Sequence, residues 1–170
     1  VKPDPRVQIA DTDRQAQLAM AAELRVELNR LADAVERIRT VRDQLNRWNA
    51  LLKDRADAAE FRVRADSLVA KLDSLERKMH NPEAEVTYDI LAKGARLYSR
   101  IAPINSWVAE GDGAPTQGMK QVWAAQQQEL AGYFSELQTL IDADLVALNR
   151  LAARIGVGHV VVPGSAAAVP

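Results

Sequence analysis

The chain has 170 residues, 48% hydrophobic and 26% charged, and its 22 basic and 23 acidic side chains leave a net charge of −1. That balance excludes the basic footprint of a nucleic-acid binder, and no apolar run reaches the ~18 residues of a membrane span. Cysteine is absent, which excludes disulfides, thiolate catalysis and cysteine zinc sites. With 5% aromatic residues, and glycine and proline concentrated at the two ends and around 111–118, the composition is that of an all-α globular domain.

Residues 1–11 (VKPDPRVQIAD) hold two prolines within five positions and predict an extended leading segment. They carry no signal-peptide pattern. Thr12 and Gln15 fit a capping box that starts a first helix. Its seam is Leu24, Leu28, Leu31, Val35, Ile38, Val41, Leu45, Trp48 and Leu52, spaced by threes and fours up to about Lys53. Asp57 and Glu60 predict the next helix start. Phe61, Ala65, Leu68, Leu72, Leu75 and Met79 then share one arc of about 80°.

Asn81-Pro82 stops that second helix. A third runs to about Ala109 and starts either at Asn81 or near Thr87, with Val86, Ile90, Leu91, Leu97, Ile101, Ile104, Trp107 and Val108 as its apolar positions and a kink expected at Pro103. Gly111-Asp112-Gly113-Ala114-Pro115-Thr116 reads as a turn ending in an N-cap at Thr116. The fourth helix, 116–155, carries Met119, Val122, Trp123, Leu130, Tyr133, Phe134, Leu137, Ile141, Leu145, Leu148 and Ile155 as its stripe, and Gly156 ends it. Val157–Pro163 is a short apolar extended segment, followed by a small-residue tail expected to be disordered.

Three short connections imply an antiparallel up-down-up-down four-helix bundle over residues 12–155, between the leading segment 1–11 and the extended segment and tail 156–170. The outer helices, at about 40 residues each, exceed the inner pair and should project as a two-helix stalk of roughly 20 Å. Leu140, Ile141, Leu145, Leu148, Leu151 and Ile155 make that stalk's apolar face wider than one partner helix can cover. The expected covers are a preceding domain of the same parent chain, or a second copy pairing through Leu140, Leu145, Leu148 and Leu151, with the Val157–Val162 segment contributing.

No catalytic, cofactor-binding or metal-ligating residue emerges from the motifs. A di-metal bundle site needs Glu-x-x-His on two helices, whereas His80 lies four residues after Glu76 and His159 lies beyond the bundle. Gly156-Val157-Gly158 follows a helix and lacks the third glycine of a dinucleotide loop. Glu110 and Asp112 are an acidic pair on a turn, expected to be solvated. Trp48, Trp107 and Trp123 fall on seam positions and are expected in the core. Arg37, Arg39 and Arg42 are interleaved with acids and read as solvated helix surface.

Two segments carry a family resemblance. The opening VKPDPRV with the long Ala/Leu/Arg helix resembles the junction at which bacterial sortilin-like, Asp-box (BNR-repeat) β-propeller proteins pass into their C-terminal helical region. VTYDILAKGARLYSRIAPINSWVAEGDGAPTQG, with its Asp112-Gly113-Ala114-Pro115-Thr116 turn, resembles the second half of that region. Pro103 and the residues after Pro163 depart from the pattern. The resemblance implies a C-terminal domain of a periplasmic or secreted propeller protein of the kind often labelled a glycosyl hydrolase. No sialidase catalytic residue falls on these positions, so the chain is expected to be a non-catalytic structural or protein-interaction module. The alternatives are an accessory part of a glycosyl hydrolase or peptidase whose active site lies in the propeller, and an independent helical adaptor or chaperone.

Overall fold

The structure, a computed structural model, describes residues 9–84 and 94–164. The leading residues 1–8, the helix start near Thr87, the positions Val86, Ile90 and Leu91, and the tail 165–170 lie outside the described residues. Within them there are four helices and no strand. None of these helices is long and apolar enough to cross a membrane.

Helix α1 spans Asp11–Leu51. The Ala10 carbonyl accepts from the amides of Asp13 at 3.0 Å and Arg14 at 3.2 Å, so the helix begins just before Thr12 and that residue lies inside the first turn. Asp11 and Asp13 place negative charge where the helix dipole favours it. Leu24, Leu31, Val35, Ile38, Val41, Leu45 and Leu52 of the predicted seam are buried, while Leu28 and Trp48 are half-buried.

A 3₁₀ turn at Ala56–Ala58 leads into α2, Ala59–Met79. Asp57 does not cap α2. Its carboxylate pairs with the Arg55 guanidinium, whose hydrogen bond holds the Asp57 carboxyl below the usual carboxylate range. All six predicted apolar positions of α2 are buried. At the far end the Asn81 side chain accepts the Glu83 amide at 3.1 Å and the Asn81 carbonyl accepts that of Ala84 at 3.2 Å. This Asx turn, with Pro82 inside it, corrects the reading in which a helix starts at Asn81.

Helix α3 is Leu97–Glu110 and contains Pro103. Leu97, Ile101, Ile104 and Val108 are buried, but Trp107 is 59% exposed. Helix α4 runs from Gln117–Thr139 through a π-helical stretch, Leu140–Leu145, into Val146–Arg154. Thr116 caps it as predicted, its Oγ1 accepting the Met119 amide at 3.2 Å. The buried positions Leu137, Leu140, Leu145 and Leu148 contain one step of five, which the wider π turn accommodates. At the C-terminus Gly156 adopts φ +69°. The amide of Val157 bonds to the Ala152 carbonyl at 2.9 Å and that of Gly156 to the Ala153 carbonyl at 3.2 Å, which together form a Schellman motif.

The chain divides into two compact units. The first takes its described residues from 9–32, 80–84 and 94–131, and so holds the start of α1, all of α3 and the start of α4. There Gln17 Nε2 donates to the Val108 carbonyl at 2.7 Å and to that of Gly111, closing off carbonyls that α3 leaves open at its end. Arg100 pairs with Glu129 at 2.6 Å, and Gln127 donates to Glu23 at 2.8 Å.

The second unit takes 33–79 and 132–164, and so holds the rest of α1, all of α2 and the rest of α4. Here α2 packs against both the π stretch and the Val146–Arg154 part of α4. Among the described residues each unit holds three helical segments, and α2 and α3 belong to different units. Leu140, Leu145, Leu148 and Leu151 are all buried within the chain, so the apolar face that motivated a pairing of two copies is already covered.

Leu148, 1% exposed, should lose about 3 kcal/mol of stability on replacement by alanine. Val146, 40% exposed, should lose less than ~1 kcal/mol. Urea midpoints of the two variants check this, and a small loss at Leu148 would mean that its face is uncovered.

Candidate functional site

The extended segment after α4 poses a chemical problem. Val157–Val162 carries a full set of main-chain donors and acceptors, yet no described strand offers it a ladder. Two side-chain amides supply partners for Val160 and Val161. Asn149, on α4, accepts the Val160 amide at 2.8 Å and donates to the Val160 carbonyl at 3.0 Å. Gln44, on α1, accepts the Val161 amide at 2.9 Å and donates to the Val161 carbonyl at 2.8 Å. In extended backbone the N–H and C=O of one residue point to the same side, and the next residue's pair points to the other. The two amides therefore clamp opposite edges of the segment, each imitating one hydrogen-bonded residue of an antiparallel strand.

Side-chain packing completes the cradle. Val157, Val160 and Val162 are buried, whereas His159 and Val161 face outward. Gly158 lies against Trp48: a Cβ there would meet Trp48 Cζ2 at 3.2 Å, a contact tight enough that the indole would have to shift slightly. Arg55 Nη2 donates to the Ile155 carbonyl at 2.9 Å just before the turn. Chemically the cradle holds the segment by its backbone, with Gly158 against the indole and Val157, Val160 and Val162 buried.

A charged cluster lies in the same unit. The Glu76 side chain is 2% exposed, with Oε1 accepting from Arg39 Nε at 2.7 Å and Oε2 from Arg42 Nη1 at 2.7 Å. Arg42 also reaches Asp73 at 3.0 Å. Desolvation alone would lower the Arg42 pKa, but the hydrogen bonds and charges of Asp73 and Glu76 outweigh it and raise the group above its ordinary value. With both oxygens occupied by guanidinium donors, Glu76 is a structural counter-ion rather than a general base. This corrects the reading of Arg39 and Arg42 as solvated surface.

The remaining candidates are dispersed. His80 sits edge-on to Tyr98 at 5.8 Å, and His159 is exposed. Among the described residues no three histidine, aspartate or glutamate side chains are grouped to hold a metal ion. Glu110 and Asp112 are both exposed. Trp123 is buried as expected, Trp48 is half-buried against Gly158, and Trp107 stands at a shallow pocket of about 230 Å³ beside the 111–116 turn rather than in the core. Gly156 is the helix stop it was read to be, and Gly158 faces Trp48 instead of a phosphate.

Gln44 and Asn149 escaped the sequence reading. The available signal was indirect: a β-branched extended run without a second strand must draw its partners from side chains, and both amides flank stripe residues, Leu45 and Leu148.

Replacing Asn149 with leucine leaves the Val160 amide and carbonyl without partners and should cost roughly 2–3 kcal/mol, read as a lower urea midpoint with faster hydrogen exchange at Val160. Glu76→Gln should destabilise by about 2 kcal/mol, and an unchanged midpoint would remove the structural role assigned to that carboxylate. The chain matches no protein-family model, no curated protein and no solved structure.

Proposed function

We propose that the chain is a non-catalytic structural and protein-interaction module, appended to an exported, periplasmic or secreted β-propeller protein of the sortilin-like, Asp-box kind. The observation that carries the interaction part is the cradle of Gln44, Asn149 and Trp48, which grips an extended chain by main-chain atoms and side-chain shape. The propeller context rests on the resemblance of VKPDPRV and of the EGDGAPT turn. An up-down-up-down course of the four helices belongs to the same reading and is supported by the short connections at 52–58 and 111–116.

The non-catalytic part rests on how the polar groups are used. The buried carboxylate is neutralised by two arginines, and the acidic pair at Glu110 and Asp112 is solvated. The partner that follows from this reading is the preceding domain of the same parent chain.

Two measurements test it. The purified chain should bind the separately expressed upstream propeller in calorimetry, and it should leave chromogenic glycosides and peptides intact. Hydrolysis that disappears in Glu110→Ala or Asp112→Ala would overturn the reading, as would the absence of any association with the propeller.

A further inference from the structure

We propose that the cradle is an exchangeable binding site, which takes the Val157–Val162 segment from a second copy of this chain as it takes its own. The inference rests on reading the chain as an interaction module, and it adds a site and an occupant.

Three observations carry it. All four polar contacts from Gln44 and Asn149 go to main-chain atoms of Val160 and Val161, so they are satisfied equally whichever copy delivers the segment. Selectivity comes instead from shape. A Cβ at position 158 would meet Trp48 Cζ2 at 3.2 Å, so the indole favours glycine there, and the buried positions 160 and 162 favour apolar side chains. The second copy's segment meets these demands by identity.

The third observation is the hinge. The segment joins α4 through Ile155 and Gly156, the glycine in a left-handed conformation at φ +69° that allows the sharp return. Arg55 holds the Ile155 carbonyl at 2.9 Å on the helix side of that hinge, so opening at Gly156 need not disturb the helix end. The bond from the Val157 amide to the Ala152 carbonyl belongs to the closed turn and is the main-chain contact that opening gives up. Two opened copies then recover every cradle contact reciprocally.

The test uses the full chain. Gly156→Ala penalises the left-handed hinge by about tenfold, and should shift the equilibrium from monomer towards dimer in light scattering. Donor- and acceptor-labelled copies of that variant should show energy transfer, and an excess of the synthetic peptide VGHVVVP should abolish it. Adding Gln44→Leu and Asn149→Leu should prevent the dimer from forming. In the unmodified chain the Val160 and Val161 amides should exchange with deuterium at least 100-fold faster than those of Leu31 or Leu45.

A Gly156→Ala chain that stays monomeric at millimolar concentration overturns the proposal. A dimer that resists the peptide and survives loss of both amides also does so, because association would then use another surface. If Gly156→Ala does not fold, the exchange rates in the unmodified chain decide: Val160 and Val161 amides as slow as the helix core would mean that the segment never leaves. A monomeric chain that still binds the upstream propeller would refute exchange while leaving the module reading intact.

Discussion

A seam that stays largely buried from Met20 to Leu52 must be covered over roughly 48 Å of helix. Among the described residues no inner helix is that long. With 21 residues α2 spans about 32 Å, and α3, with 14, about 21 Å. Each inner helix therefore serves one part of α1: α3 shares a unit with residues 11–32, and α2 shares a unit with residues 33–51. Leu140, Leu145, Leu148 and Leu151 are buried in the unit that contains α2.

Within the second unit, polar chemistry is used to seal what helices alone leave open. Glu76 is buried at the price of two arginines, which take up its charge and both its oxygens. Removing one partner would strand the rest, whereas the intact set fixes how α2 lies on α1. The clamps at Val160 and Val161 solve the related difficulty of an extended segment with no sheet to join. Each amide presents a donor and an acceptor on one planar group, which is the pattern a strand would have offered. A hydroxyl or a carboxylate at either position could not reproduce it.

The local periodicity was legible. The seam of α1, the stripe of α2, the cap at Thr116 and the stop at Gly156 each follow from spacing or backbone chemistry set within a few residues. What failed was long-range. Trp107 lies on an apolar spacing but is exposed, because α3 buries Ile104 and Val108 and the indole falls beside that face. Arg39 and Arg42 look like surface until α2 brings Glu76 between them. Gln44 and Asn149 look like ordinary helix polarity until the chain returns past them more than a hundred residues after Gln44 and eleven after Asn149. Periodicity reports which face of a helix is apolar, and it is silent about which distant groups will meet there.

The π turn in α4 has a consequence for how this sequence can change length. The buried positions there run Leu137, Leu140, Leu145 and Leu148, so the stretch between Leu140 and Leu145 holds one residue more than a regular α-helical step of four. Shortening it by one residue would turn the spacing into three, four, three and leave both flanking stripes, and Asn149 with them, on the faces they now occupy. A deletion elsewhere along α4 would instead rotate everything beyond it by about 100° and carry Asn149 away from Val160. This single turn is the place in the helix where the chain can lose a residue without losing its register.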